Sequence, residues 1–307
     1  MPAITLTETF RAVFYAPFYA AHALEAYRDE GLDVRLNTPA SPAETASRLL
    51  SGDTDVSWGG PMRILVTRDQ DPDCGLVAFC EVVTRDPFFV VGRAPRPGFR
   101  MSDLMGLRLG TVSEVPTPWM CLQDDIRRAG LDPALMERVT DRSMADNTAA
   151  LRDGRLDAIQ VFQPFAEQLV RDGAGHIWYA AAARGPTSYT ALYTTERMLA
   201  DRPDIMLAMT RAIYRTQKWV HGHDAATIAA TIARFFPDLD ADTLTACIAR
   251  YKAGGLWGRD PILPRGGFER LKVACLSGGL IERGADYADC IDTSLARTVI
   301  ESDPPSM

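Results

Sequence analysis

The sequence predicts an α/β protein of two similar units with mixed, mainly parallel sheets, joined by two crossover strands and followed by a helical tail. Three observations carry that reading. First, Leu49-Leu50-Ser51-Gly52-Asp53-Thr54-Asp55-Val56 is echoed by Leu151-Arg152-Asp153-Gly154-Arg155-Leu156-Asp157-Ala158, both reading Leu-x-x-Gly-x-x-Asp-apolar. Gly31-Leu32-Asp33 is likewise echoed by Gly130-Leu131-Asp132, and Pro17-Phe18 by Pro118-Trp119, each about a hundred residues downstream. Second, strand and helix patterns alternate within each unit, as parallel strands linked by helices require. Third, strand-like runs lie between the units and after the second one.

Taken in order, the first strand is expected around Ile4 to Thr9, with "FYAPFY" opening a helix behind it. Gly52 caps the next helical pattern and Val56 to Trp58 forms a second strand. Leu76 to Val83 and Phe88 to Gly92 are strand-like runs that leave the first unit. The loop Arg93 to Arg100, rich in Pro and Gly, leads into the second unit. That unit begins with Arg108 to Val112 and continues, past the Gly154 cap, to a strand at Ile159 to Phe162. The stretch "AGHIWYAAAARGPTSYTALYTTERML" runs back with the alternating Thr, Ser and Tyr of strands. From Pro203 onward the pattern is helical, and this tail is expected on the first lobe. One lobe then comprises residues 1–90 with 190–307, and the other residues 91–189.

Composition narrows the partners. The 307 residues are 47% hydrophobic and carry a net charge of −7, which allows a sizeable core and argues against nucleic acid. No apolar run reaches the roughly 20 residues of a membrane helix, so the chain is not expected in the bilayer. The N-terminal "MPAITLTETFRAVFYAPFYAA" lacks a basic region, a long apolar stretch and a cleavage site. As written, that start implies a cytoplasmic protein; a removed signal or a mis-set start would make it periplasmic. The six cysteines are widely and irregularly spaced, with no zinc or disulfide framework and no cofactor motif. "HGH" at His221 and His223 does not place both rings on one helix face.

The segments "FYAPFYAAHALEAYRDEGLDVRL", "LLSGDTDVSWGGP", "DLMGLRLGTV" and "LRDGRLDAIQVFQPF" resemble the bilobal periplasmic solute-binding proteins over nearly the whole chain. The details resemble the subgroup that holds alkanesulfonate, taurine and nitrate binding proteins and the thiamine-pyrimidine synthases. That resemblance implies two lobes closing on a small planar organic ligand, a pyrimidine-like heterocycle or a small organic acid, with an importer permease as partner. An enzyme on the same fold, synthase-like or of decarboxylase or desulfinase type, is the alternative, and a cytoplasmic ligand sensor the third. The synthases use a cysteine-rich motif that this chain lacks. For an enzyme, Cys121, His22 and Glu81 are the nameable reactive groups, and none is assigned a catalytic role.

In open parallel sheets, ligands sit beyond the carboxyl ends of strands, near helix N-termini. That rule selects four loops and the residues expected to bind ligand. Tyr15 and Phe18 come from the first. Trp58, Gly59 and Gly60 come from the second, with the glycines giving close approach to a helix start. Glu114, Thr117 and Trp119 come from the third, Thr117 as an N-cap. Gln163 comes from the fourth. Glu81 on one crossover and Tyr189 on the other are expected to face the same cleft. Trp58 and Trp119 on facing lobes suggest a sandwiched ring. Inward carboxylates would favour an amine-bearing heterocycle, whereas an arginine-dominated cleft would favour a carboxylate or sulfonate.

Overall fold

The computed structural model describes residues 1–307 and contains two five-stranded sheets. The strands are β1 (Ala3–Thr7), β2 (Asp33–Asn37), β3 (Val56–Gly59), β4 (Leu76–Val83), β5 (Phe89–Gly92), β6 (Leu109–Gly110), β7 (Arg138–Val139), β8 (Ala158–Val161), β9 (His176–Ala180) and β10 (Thr190–Thr195). The first sheet has the order β2-β1-β3-β10-β4 and the second β7-β6-β8-β5-β9. Each combines two parallel with two antiparallel pairings, so the sheets are more evenly mixed than expected. The antiparallel pairs all involve β5 or β10, the strands next to the crossovers.

The helices up to the return strand are α1 (Ala16–Ala23), α2 (Ala26–Asp29), α3 (Glu44–Ser51), α4 (Met62–Gln70), α5 (Thr117–Arg128), α6 (Met144–Arg152) and α7 (Phe165–Arg171). Those of the tail are α8 (Glu196–Asp201), α9 (Pro203–Gly222), α10 (Ala225–Ile232), α11 (Ala241–Ala253), α12 (Arg265–Ser277), α13 (Tyr287–Cys290) and α14 (Ser294–Glu301). None is long and apolar enough to cross a membrane.

The sequence echo has an atomic basis. Gly52 and Gly154 both take left-handed backbone angles where α3 and α6 end, a conformation glycine adopts without a Cβ penalty. Three residues later, Asp55 Oδ2 accepts a hydrogen bond from Thr5 N (2.7 Å), and Asp157 Oδ2 accepts one from Arg108 N (3.0 Å). The same carboxylate thus secures the neighbouring strand in both units. Arg108 also donates two side-chain hydrogen bonds to Asp157, which hold that carboxyl near a pKa of about 2.

β4 reads Leu-Val-Ala-Phe-Cys-Glu-Val-Val and is buried along its whole length, as expected for a strand covered on both faces. Helices α9 and α10 pack on α1, and α14 on α9 and β4. The tail is not confined to the first sheet, however. α11 also packs on α7, and α12 lies on both α4 and α5.

Two segments cross between the sheets, 84–88 and 181–189. They are joined to each other and to the strand ends by Thr187 N to Thr84 O (2.8 Å), Tyr189 N to Val83 O (2.9 Å) and Ala181 N to Phe88 O (2.9 Å). Arg184, with a side chain 4% exposed, donates to Asp86 on the other crossover (2.7 Å) and to Asp125 on α5 (2.9 Å). Tyr179 OH donates to the same Asp125 (2.9 Å), and Arg270 on α12 donates to the Arg184 carbonyl. A buried guanidinium needs such partners, and removing it strands a fully buried carboxylate. Arg184→Ala is therefore expected to lower the unfolding free energy by about 3 kcal/mol. Urea denaturation checks this; a loss below about 1 kcal/mol, the range of exposed pairs, would show that the network carries no structural burden.

Candidate functional site

Two cavities lie between the sheets and share Phe10. The inner one is small, about 30 Å3, enough for one water. Thr9, Phe14 and Tyr15 border it from the loop after β1, and Gly60, Met62 and Arg63 from the start of α4. Val115 and Thr117 border it from the start of α5, and Phe88 and Tyr189 from the crossovers. The outer one, about 710 Å3, is bordered mainly by aromatic and aliphatic groups.

The inner cavity is bordered by one cation and two helix starts. The starts of α4 and α5 carry the positive ends of the helix dipoles, although Arg63 N is taken by Gly60 O (2.9 Å) and Pro118 has no N–H. Both starts border the cavity, one from each sheet. Arg63 adds a guanidinium that pairs with no carboxylate, unlike the buried Arg184 and Arg68. Burial raises the Tyr15 phenol, and the Arg63 charge is among the groups that pull it back. Thr117 is the first residue of α5 rather than its cap, so its hydroxyl is not spent on the helix. Thr9 Oγ1 donates to Trp58 O (2.7 Å), which ties the β1 loop to the end of β3.

Aromatic rings seal this cavity. Phe10 from the first unit and Phe162 from the second stack with centroids 5.9 Å apart and planes 11° apart. Phe14 and Phe88 meet Phe162 edge-on at 5.3 and 5.2 Å. Tyr189 meets Phe14 edge-on at 6.2 Å.

Of the residues expected at the cleft, Tyr15, Gly60, Thr117 and Tyr189 border the inner cavity, and Glu114 and Gln163 the outer one. Trp58 and Phe18 do not reach either. Both are fully buried and stack on each other at 4.5 Å with planes 12° apart. Trp58 also meets Tyr15 at 5.8 Å, so it backs the cavity wall instead of forming it. Gly59 sits behind the cavity too, where a Cβ would meet Thr9 Oγ1 at 2.9 Å. Gly60 leaves room for Tyr189 O, 3.2 Å from where its Cβ would stand. Trp119 packs in the core of the second sheet under Arg138, whose guanidinium lies 4.3 Å from the ring centroid. The two tryptophans therefore do not sandwich a ring.

Glu81 is also displaced from the expected cleft. It is buried in β4 and borders a separate polar cavity of about 440 Å3 beside Arg85, His221, Lys252 and Asp260. Glu114 uses its carboxylate locally, accepting from Ser113 N (3.1 Å) and Met144 N (2.9 Å). Sequence reasoning missed Arg63 as a site residue, although its place one residue into the helix after Gly-Gly-Pro was the signal. It also missed Phe10, and the run Phe235 to Leu239, which arrives from the tail.

The nucleophile and acid–base candidates lie elsewhere. Cys80 and Cys121 are buried, and burial pushes both thiols well above their ordinary range. Cys247, Cys275, Cys74 and Cys290 are buried free thiols as well. His22 borders a different surface pocket, and burial lowers it to about 4. His223 stacks on Trp219 while His221 bonds the Gly258 carbonyl.

Burial raises the Glu81 carboxyl to about 8, against the opposing pull of the Thr84 and Ser188 hydroxyls. Its unfolded value is about 4.3. Between these two values the folded chain holds the extra proton, so stability falls as pH rises through that window, by up to about 1.4 kcal/mol per pH unit. Glu81→Gln is expected to remove this slope, gaining on the parent protein as pH goes from 5 to 8. Denaturation midpoints at the two pH values check this; parallel losses in both proteins would contradict it.

Comparison with known proteins agrees with this architecture. YtlA of Bacillus subtilis (strain 168), whose name describes a candidate binding protein, is 26% identical over 96% of this chain and 89% of its own. A solved protein of Bordetella bronchiseptica RB50 superposes with a TM-score of 0.77 over 98% of both chains at 21% identity. The periplasmic aliphatic sulphonate binding protein SsuA of Escherichia coli superposes with a TM-score of 0.76 at 14% identity, covering 95% of this chain and 92% of that one. The fold is thus that of periplasmic binding proteins. The sequence model of the NMT1-like family matches residues 9–234, and the chain belongs to that family.

Proposed function

We propose that the protein is a solute-binding protein that closes two lobes, residues 1–90 with 190–307 and residues 91–189, on a small organic anion. Arg63 carries this reading: a cation without a carboxylate partner stands in an interlobe cavity bordered by two helix starts. Hydrogen bonds from a guanidinium, helix N–H groups and hydroxyls all favour a negatively charged acceptor. The amine-bearing heterocycle loses its expected partners, because Glu81 lies in another cavity and Glu114 is committed to two backbone N–H groups. A carboxylate or sulfonate therefore fits best. The sulphonate binding named for the SsuA structure supports the same chemistry.

The inner cavity admits only a water-sized guest in this arrangement. A ligand head enters when the sheets part, and it favours closure through contacts available only when both helix starts meet it. Delivery to an importer permease is the role that suits such a protein. An enzyme on this fold would need a reactive group at the cavities, and Cys80, Cys121 and His22 lie outside them.

Native mass spectrometry of the purified protein, followed by release of what it holds, identifies the retained solute. A carboxylate or sulfonate supports the proposal, and a retained cationic amine contradicts it. Arg63→Ala is expected to weaken binding of that anion about tenfold to a hundredfold, the range for a hydrogen bond to a charged group. Calorimetric titration measures this. The melting temperature should stay close to that of the parent, because Arg63 holds no carboxylate; unchanged affinity would sink the assignment.

A further inference from the structure

The outer cavity narrows the class of anion, on the reading that the ligand's charged head meets Arg63. Its aromatic walls come from three separate places in the chain. Phe162 and Phe165 follow β8, Phe10 follows β1, and Phe235, Phe236 and Leu239 link α10 to α11. At about 710 Å3 it has the size of a pocket for a drug-sized molecule and not for a two- or three-atom chain. It offers no free cation, because Arg11 is engaged by Glu8 (2.8 Å) and by the Phe235 carbonyl (3.1 Å). Asp238 stands exposed at its rim, which disfavours a second negative charge at the outer end of a ligand.

One polar group in this lining lacks a partner. Gln163 is fully buried, and its Oε1 accepts from Glu167 N (2.8 Å) and Cys247 Sγ (3.7 Å). Those contacts fix which end of the amide is oxygen. The amide nitrogen has no hydrogen-bond acceptor. Such a donor is costly to leave alone. The two cavities meet at Phe10, whose ring already lies nearly parallel to Phe162. A planar ring that separates these two faces would stack on both, one from each sheet, so closing the sheets would grip it.

We propose that the ligand is an aryl monoanion, an aromatic carboxylate or sulfonate. Its head lies in the inner cavity at Arg63 and its ring between Phe10 and Phe162. The remaining uncharged body fills the outer cavity.

The test compares three probes on the full chain by calorimetric titration: methanesulfonate, naphthalene-2-sulfonate and the neutral naphthalene-2-sulfonamide. Naphthalene-2-sulfonate is expected to bind about 100-fold more tightly than methanesulfonate, from the apolar area it buries. Phe162→Ala is expected to cut that aryl preference at least about tenfold. Phe165→Ala, a change at a half-buried wall position with less risk to folding, should reduce it in the same direction. An aryl preference below about threefold, or one untouched by both variants, overturns the proposal while leaving the anion reading intact. A sulfonamide bound as tightly as the sulfonate overturns the charged head instead, and the monoanion with it. Failure of all three probes to bind overturns both.

Discussion

A guanidinium buried between two carboxylates fixes the relation of the two sheets. Arg184 sits on one crossover, Asp86 on the other and Asp125 on α5, so a single cation ties both connections to a helix of the second unit. Burial raises the Asp86 carboxyl, while the Arg184 charge pulls it back. Neither aspartate can lose this partner cheaply in so little water. The start of α5 at the inner cavity therefore inherits its position from an ion network about two helical turns along the same helix. Everything proposed for the cleft depends on that placement.

The cleft is built by repetition. Each unit ends a strand, turns through a proline and starts a helix whose first residues border the inner cavity. The two starts need not be equivalent. That of α4 brings Gly60 and Arg63, giving room and charge, while that of α5 brings Thr117, giving a hydroxyl. The aromatic wall is divided in the same way, with Phe10 and Phe14 on one side and Phe162 on the other.

The architecture was readable because it repeats. The Leu-x-x-Gly-x-x-Asp echo marks two corresponding joints, with Asp55 holding a β1 N–H and Asp157 the N–H just before β6. The continuous apolar run of β4 and the helical periods of the tail were legible for the same local reasons. The site was legible only in part. Tyr15, Gly60, Thr117 and Tyr189 follow from the rule that ligands sit beyond strand ends. Trp58 did not, because β3 is buried on both faces and alternation gives no side to its aromatic ring. Glu81 failed likewise on β4. The run Phe235 to Leu239 gave no signal, since nothing local says that a link between two tail helices borders a cavity formed by distant units.

The placement of α12 adds a mechanical consequence. It lies across α4 and α5, the two helices whose starts border the inner cavity, and Gly278 at its end abuts Met120 so closely that a Cβ would meet the sulfur at 2.4 Å. The two units are thus coupled by two covalent crossovers and by two non-covalent braces, α12 on α5 and α11 on α7. Two straps alone permit both bending and twisting, and braces off their line resist the twist. Parting the sheets must then disturb both contacts. For a solute-binding protein, such contacts would set the cost of opening, and with it apparent affinity, from a surface no ligand touches.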